Sequence, residues 1–221
     1  MNDLGGRGAS LLTGIAVALV IVAVATIPFL SMRWISFEQD RSQAAAWTGF
    51  DPEELRAATD GIVNDLIWGP PAFDVEIGGV PVLNEREQQH MRDVRTVFMG
   101  LFAAAAASVV VLLVASRRRD RVRLWRSIRR GAFGLIIGTV VLALVGSVAF
   151  DQLFELFHRI FFPAGSYLFD PATERLVQLF PFLFWEDTAM AVGALIVTMS
   201  LLTAWVGGRR GTAASRGRAA G

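Results

Sequence analysis

Long runs of apolar residues without any charged side chain divide the sequence. Each run has 19 or 20 residues, and they are Leu11–Leu30, Val97–Ala115, Ala132–Phe150 and Thr188–Val206. At about 1.5 Å per residue, a helix of this length crosses the hydrocarbon core of a bilayer, which is about 30 Å thick. A water-soluble bundle would hardly contain four such helices. The pattern therefore predicts an all-α polytopic membrane protein with four transmembrane helices.

The first apolar run has one feature of a secretory signal peptide, a basic residue before it at Arg7. However, the run is longer than the apolar core of a signal peptide, which has about 7–15 residues, and no clear small-residue cleavage site closes it. We therefore expect this segment to be retained as a membrane anchor.

The segments between the apolar runs differ strongly in charge. Residues 116–131 hold eight of the 21 arginines and one acidic residue. Residues 31–96 hold six arginines and twelve acidic residues, and residues 151–187 hold two and six. Because arginine-rich loops stay on the cytoplasmic side, we predict that the loop 116–131 and both termini are cytoplasmic and the other two loops extracytoplasmic. All basic residues are arginine and none is lysine, which is typical of a GC-rich bacterial genome, so the expected location is a bacterial inner (cytoplasmic) membrane. Topology explains the arginines without a nucleic-acid partner.

The loop of residues 31–96 has the pattern of a small folded region. Asp51, followed by a proline and two glutamates, is a typical helix start. Residues 73–83 alternate apolar and polar side chains before a Gly-Gly pair, as in a β-hairpin. Asn84 then begins a second helix that leads into the next span. These signals predict a small extracytoplasmic α+β cap, and the alternative is an ordered connector without a function of its own.

The first of the chain's two histidines, His90, lies seven residues before the second span. At about 100° per residue, Val94 and Val97 follow it on the same helix face, and the carboxylate of Asp93 lies within one turn. A single histidine at a membrane boundary is usually only a solvated or capping residue. His90 alone therefore predicts no specific function.

The second histidine, His158, lies in the segment FDQLFELFHRIFF (Phe150–Phe162), which follows the third span. On a helix it shares one face with Asp151, Glu155 and Phe162. An aromatic belt at the membrane interface would explain the phenylalanines, but not two carboxylates aligned with a histidine. The neighbouring face is apolar enough to hold acyl chains and consists of Phe150, Phe154, Phe157 and Phe161.

Both histidines are predicted at the same membrane boundary, which suggests a shared site with the two rings within about 10 Å of each other. Imidazole exchanges protons near neutral pH, so a pair oriented by carboxylates suits general acid–base catalysis on a lipid headgroup. The chain has no cysteine, which excludes thiol and cysteine–metal chemistry. The carboxylates placed to orient the imidazoles are Asp93, Asp151 and Glu155.

Three stretches carry a resemblance to a known family. They are LNEREQQHMRDVRTVF (Leu83–Phe98), FHRIFFPAGSYLFDP (Phe157–Pro171) and LFPFLF (Leu179–Phe184). In this order, and with four spans, one folded loop and one aromatic loop, the sequence resembles the lipoprotein intramolecular transacylase (Lit) family of small bacterial membrane proteins. Tyr167 stands where tryptophan is expected more often, a departure that bears on the fit of the headgroup.

The resemblance implies an enzyme that moves the sn-2 acyl chain of a diacylglyceryl-cysteine lipoprotein to the α-amine of the same cysteine. It implies His90 and His158 as the catalytic residues, with Glu87 and Asp93 matching the first motif as supporting groups. The expected partners are the lipid-modified N-terminus and membrane phospholipid, and no cofactor or metal is expected. The side chains expected to contact the substrate are Phe154, Phe157, Phe161, Phe162, Ser166 and Tyr167.

The same residues are also compatible with other functions. A metal-dependent membrane lipid hydrolase could use both histidines with Asp93 and Glu155, but the sequence has no HExxH motif. A transporter normally carries ionisable groups inside its spans, and these spans have none. Ser166 has no base spaced beside it that would make it a nucleophile. A non-catalytic membrane or assembly protein is the main rival hypothesis.

Overall fold

The computed structural model describes residues 3–118 and 120–219. Within these residues the chain is mostly helical, with one short hairpin. The helices are α1 (Asp3–Thr26), a 3₁₀ helix (Ile27–Leu30), α2 (Met32–Arg41), α3 (Ala44–Thr48), α4 (Pro52–Ile67), α5 (Glu85–Arg118), α6 (Arg121–Phe161), α7 (Arg175–Leu179) and α8 (Phe182–Ala219), and the strands are β1 (Glu76–Ile77) and β2 (Val80–Pro81).

Four of the described helices are long and apolar enough to cross a membrane. They occupy Arg7–Leu30, Glu85–Arg117, Arg121–Phe161 and Phe182–Gly217. The prediction of a four-span, all-α membrane protein with a small α+β region between the first two spans is confirmed. Three of these helices extend well beyond their apolar runs, so polar side chains are carried on the same helices that form the spans.

The described chain divides into two compact units. The span unit comprises the described parts of residues 1–26, 101–145 and 191–221. The cap unit comprises residues 27–100 and 146–190. The cap unit therefore contains the polar loop after the first span and the aromatic loop after the third.

In the span unit, α1 and α6 meet through small residues. A Cβ atom placed on Gly131 would lie 2.5 Å from the Cα of Gly14, so only glycine allows this approach. The hydroxyls of Ser10 and Ser127 lie 2.8 Å apart on the same two helices. Small residues and hydroxyl pairs are the usual means by which membrane helices pack, since lipid chains are as apolar as leucine. The buried apolar residues of this unit are Val17, Ile21, Ala25 and Ile196.

In the cap unit, the predicted helix start and hairpin are both present. Asp51 accepts hydrogen bonds from the backbone N–H groups of Glu53 and Glu54, which completes a capping box for α4. In the hairpin, Gly78 and Gly79 adopt φ of 61° and 79°, which a tight turn between two strands requires. The strands have two residues each, and a hydrogen bond from the Val82 N–H to the Val75 carbonyl at 2.9 Å follows them, so Pro81 lies at a position where the ladder needs no N–H.

The hydrophobic core of the cap unit unites both of its chain segments. Phe73, Ile62 and Leu83 from the first segment are fully buried together with Leu179 from the second. The cap is thus built from two loops that are far apart in sequence, a pairing that the hydrophobic pattern alone does not indicate.

Helix α6 is interrupted at one residue. Ala149 has φ of −150° and ψ of 43°, outside the helical region. The segment that carries His158 therefore does not continue the third span as one regular helix, and it forms a helical segment of its own that begins at Phe150. This segment belongs to the cap unit.

Candidate active site

His90 is positioned by the first turns of α5. The side chain of Asn84 accepts hydrogen bonds from the backbone N–H groups of Arg86 and Glu87, both at 3.0 Å. The carboxylate of Glu87 in turn accepts the N–H of Asn84 at 2.7 Å, so a second capping box forms at the helix start that was predicted at Asn84. This box fixes the start of the helix at Glu85, five residues before His90.

The carboxylate of Glu87 also connects the two segments of the cap unit. Its second oxygen accepts the backbone N–H of Leu176, at the start of α7, at 2.7 Å. The Glu87 side chain is 1% exposed, so both hydrogen bonds are shielded from water. We infer that Glu87 supports the site by fixing α7 against α5.

His158 is held by the backbone of its own helix. Its Nδ1 lies 2.7 Å from the carbonyl oxygen of Phe154, one turn earlier. A carbonyl oxygen can only accept a hydrogen bond, so Nδ1 carries the hydrogen and the Nε2 of the neutral ring carries the lone pair. The ring is thereby fixed in the tautomer that can accept a proton at Nε2.

The two histidines lie together inside the cap unit. Their ring centroids are 5.9 Å apart and the ring planes are nearly parallel, at 17°. Both side chains are buried, with 6% exposure for His90 and 9% for His158. The predicted proximity of the two rings, within about 10 Å, is confirmed.

The Nδ1 atom of His90 differs from that of His158. It is buried, and no atom of the described residues forms a hydrogen bond with it. Buried polar atoms without a partner are rare because they lose their hydration without compensation, and those that persist tend to have a functional role. This nitrogen is able to bind a polar group of a substrate, which would supply the missing hydrogen bond.

Aromatic rings surround both imidazoles. Phe162 contacts both, with its centroid 4.8 Å from His90 and 5.2 Å from His158. The other rings around His158 are those of Phe154 at 4.3 Å, Tyr167 at 5.0 Å and Phe157 at 5.5 Å. Such surroundings exclude water and strengthen any hydrogen bond formed inside them.

The apolar face of the same helical segment remains uncovered by protein. Phe157 is 43% exposed, and Phe161, which stacks near it at 4.8 Å, is 50% exposed. Leu156 and Ile160 on this segment are also exposed. A continuous apolar surface therefore borders the buried histidines.

The carboxylates expected to orient the imidazoles have other partners. Glu155 forms an ion pair with Arg159, one turn later on the same helix. The side chain of Asp93 accepts a hydrogen bond from Gln89 at 3.1 Å, and Asp151 is exposed. The expectation that a carboxylate orients the His158 ring was therefore wrong. The ring is oriented instead by the Phe154 carbonyl, which accepts the hydrogen bond from Nδ1.

Ser166 has a structural partner as well. Its hydroxyl donates a hydrogen bond to the carbonyl of Pro163 at 2.9 Å, inside a turn in which Gly165 adopts φ of 81°. This turn brings Tyr167 to the ring of His158. Among the described residues, no group of three His, Cys, Asp or Glu side chains is arranged to hold a metal ion.

Three residues near the site were not identified from the sequence, namely Phe169, Arg86 and Glu174. The ring of Phe169 lies 5.3 Å from the His90 ring, and the guanidinium of Arg86 lies 4.7 Å from the ring centroid of Phe169. Arg86 also donates a hydrogen bond to the carbonyl of Leu168 at 2.8 Å and forms an ion pair with Glu174. All three lie within or beside the quoted motifs, but no spacing rule indicates that residues so distant in sequence will pair.

The ion pair of Arg86 and Glu174 closes the aromatic loop over His90. Burial of Glu174 acts to raise its pKa, but hydrogen bonds from Arg86, the Asp170 N–H and Asn84 outweigh burial, and the pKa is lowered overall. The ionised carboxylate is therefore the form that the folded cap stabilises.

These features define a class of integral membrane protein: four apolar helices, with two buried histidines side by side under an aromatic loop. The family model for "Lipoprotein intramolecular transacylase Lit" matches residues 11–185. The chain belongs to this family of acyltransferases.

Solved structures share the fold across the whole chain. The structure of the lipoprotein intramolecular transacylase Lit from Bacillus cereus has a TM-score of 0.76 and 20% identity, covering 97% of this chain and 99% of that one. A variant of the same protein, in which one histidine is replaced by arginine, gives a TM-score of 0.72 and 19% identity, covering 100% and 96%. At these identities the likeness shows the fold.

A relative in sequence comes from Aquifex aeolicus (strain VF5). This uncharacterized protein is 26% identical over 132 residues. The match spans 58% of this chain and 58% of the relative, less than two thirds of either.

Protonation of Glu174 should weaken the cap. A carboxylate whose pKa is lowered by folding contributes stability above its unfolded pKa, and this contribution is lost as the pH falls through the folded value. We expect Glu174→Gln to lower the thermal midpoint of unfolding at pH 7. The expected loss in the free energy of unfolding is about 1–3 kcal/mol, the contribution of hydrogen bonds to a charged group. The difference from the wild type should shrink as the pH is lowered below the ordinary glutamate range.

Thermal unfolding of the purified protein in detergent at several pH values measures this effect. Glu76→Gln, on the exposed strand β1, is the matched control and should leave the midpoint unchanged. An equal shift for Glu174→Gln at pH 7 and at low pH would contradict the proposed role of the ionised carboxylate.

Proposed function

We propose that this chain is a lipoprotein intramolecular transacylase that uses His90 and His158 as its catalytic residues. The reaction moves the sn-2 acyl chain of a diacylglyceryl-cysteine lipoprotein to the α-amine of that cysteine. Membership of the family supports the reaction type. The single observation that carries the assignment of residues is the pair of buried imidazoles at 5.9 Å.

The proposed reaction needs no nucleophile from the protein. The substrate contains both the amine and the ester, so attack is intramolecular, and holding the two groups together supplies much of the rate enhancement. The protein then has to remove a proton from the amine, stabilise the oxyanion and return a proton to the leaving glycerol oxygen. Two histidines are sufficient for these three tasks.

The hydrogen bond to Phe154 supports a division of roles. With Nδ1 donating to that carbonyl, His158 presents Nε2 as the proton acceptor, and we assign the general base to it. After the amine has attacked, the same nitrogen is able to return the proton to the glycerol oxygen as the C–O bond breaks. His90 lies beside it, and we assign to this ring the hydrogen bond that stabilises the oxyanion.

The exposed apolar face gives the acyl chains a place to bind. We propose that Phe157 and Phe161, with Leu156 and Ile160, face the lipid and border the entry of a diacylglyceryl substrate from the membrane. Their exposure outside a bilayer and their position next to the buried rings support this role. Phe154, Phe162 and Tyr167 then line the path to the imidazoles.

The orientation follows from the arginine asymmetry. We propose an inner-membrane location with both termini and residues 116–131 in the cytoplasm, and with the histidines on the extracytoplasmic side. A substrate whose lipid-modified cysteine lies on that side of the membrane would then reach the site.

Replacing His158 should abolish acyl transfer. We expect His158→Asn to lower the rate by about 10²–10⁴-fold, because loss of one general acid–base group has this effect. His90→Asn should lower it by a comparable factor. The measurement is fragmentation mass spectrometry of lipopeptides from a bacterium whose lipoproteins otherwise keep a free amine. Intramolecular transfer leaves the mass unchanged and moves one acyl group from glycerol to nitrogen.

Gln152→Asn, an exposed change on the same helical segment, is the control and should retain full conversion with equal membrane levels. Full conversion by both histidine variants would remove the histidines from the mechanism. Absence of conversion by the wild type, across several lipoproteins, would instead favour a non-catalytic assembly protein.

The orientation is testable because the chain has no cysteine of its own. Single cysteines introduced at Glu76 and Ala172, which are both exposed, should react with a membrane-impermeant thiol reagent in intact cells. A cysteine at the exposed Ser116 or Ser215 should react only after the cells are permeabilised. Labelling at position 116 but not at position 172 in intact cells would reverse the proposed orientation.

A further inference from the structure

An open groove of about 510 Å³ lies between α6 and α8 in the span unit. It is formed by the arginine-rich ends of the two helices. Its lining includes Arg129, Trp205, Gly208, Arg209, Thr212 and Arg216. The acyl-transfer activity proposed above makes no use of it.

Glycines on α8 allow the two helices to approach at this groove. A Cβ atom placed on Gly207 would lie 3.3 Å from the Cβ of Arg129, and one placed on Gly208 would lie 3.8 Å from its guanidinium carbon. The charged group of Arg129 therefore lies against the surface of α8. On α8 itself, the guanidinium of Arg209 lies 4.9 Å from the ring centroid of Trp205. Of the three arginines that line the groove, Arg129 is thus held by its contact with α8 and Arg209 by its contact with Trp205.

The positive charge of the groove has no acidic counterpart nearby in sequence. Residues 121–150 and 188–221 contain no Asp or Glu. The ion pairs of the described residues use Arg41, Arg86 and Arg159, and none involves the arginines of the groove. The hydroxyl of Thr212 donates to the carbonyl of Gly208, so charge recognition is left to the guanidinium groups.

The groove lies beside the ends of two apolar runs. Arg129 comes three residues before the third apolar run, and Trp205 and Arg209 fall at the end of the fourth. Tryptophan is typical of the membrane interface, and exposed Leu201 and Leu202 continue the surface of α8 into the apolar run. Guanidinium groups bind phosphate oxygens with two parallel hydrogen bonds, and basic pockets between spans suit anionic headgroups.

We propose that this groove is a binding site for the phosphate group of an anionic phospholipid. The three guanidiniums bind the phosphate, and the acyl chains continue along the apolar surface of α8. The proposed orientation places the site in the cytoplasmic leaflet. The site would anchor a bound lipid at the arginine-rich end of the helices, and this role is independent of the acyl-transfer reaction.

Neighbouring arginines provide a matched test. Arg129→Gln with Arg209→Gln removes two charges from the groove. Arg130→Gln with Arg210→Gln removes two charges from the same helices at positions that do not line it. Native mass spectrometry of the detergent-purified protein would count bound phosphatidylglycerol and phosphatidylcholine of identical acyl chains. We expect the wild type and the control pair to retain phosphatidylglycerol preferentially, and the groove pair to lose that preference by about tenfold or more.

Arg216 is exposed near the end of α8, so Arg216→Gln is a second variant that leaves the packing of the helices intact. It should weaken the retention of phosphatidylglycerol relative to Arg210→Gln. Equal losses for the groove pair and the control pair would show general charge attraction and overturn the proposal. A wild type without preference for phosphatidylglycerol would overturn it too. Displacement of the lipid by millimolar inorganic phosphate would assign the groove to free phosphate instead.

Discussion

The carboxylate of Glu87 accepts backbone hydrogen bonds from Asn84 and Leu176, which belong to distant parts of the sequence. A buried carboxylate is costly unless its oxygens are paired, and here two N–H groups supply that pairing. The same interaction begins α5, fixes α7 against it and sets the position of His90 one turn later. The aromatic loop that covers His90 depends on this arrangement. The ion pair of Arg86 and Glu174 holds that loop, and these two residues are close in sequence to Glu87 and Leu176, which the hydrogen bond joins.

Local signals in the sequence predicted much of this architecture. The four spans, the capping boxes at Asp51 and Asn84 and the hairpin turn depend on neighbouring residues, and periodicity and turn chemistry reveal them. The proximity of His90 and His158 was also predictable, because both lie at the ends of spans that face the same side. The partner of the His158 ring was not. A carboxylate on the same helix face was the expected choice, whereas the ring instead uses the Phe154 carbonyl. The long-range pairing within the cap leaves no local pattern.

The membrane explains why the candidate chemistry is concentrated in so few residues. Ionisable groups are costly inside the hydrocarbon core, so the apolar runs carry none, and the charged side chains and histidines are confined to the helix ends and loops. In the cap unit, two histidines are buried among aromatic rings beside an exposed apolar face. At the arginine-rich end of the span unit, guanidiniums line a groove instead. The first arrangement suits proton transfer on a lipid-linked amine, and the second suits the binding of a phosphate group.

We propose that His158 serves as the base because the Phe154 carbonyl fixes its tautomer. Nitrogen-15 magnetic resonance of protein labelled at the histidine rings tests this most directly, since the chain has only two histidines and His90→Asn assigns the remaining signals. In His158 we expect the hydrogen on Nδ1 and none on Nε2. A hydrogen on Nε2 with a bare Nδ1 would contradict it, because the ring would then have no lone pair to offer to the substrate amine from that nitrogen.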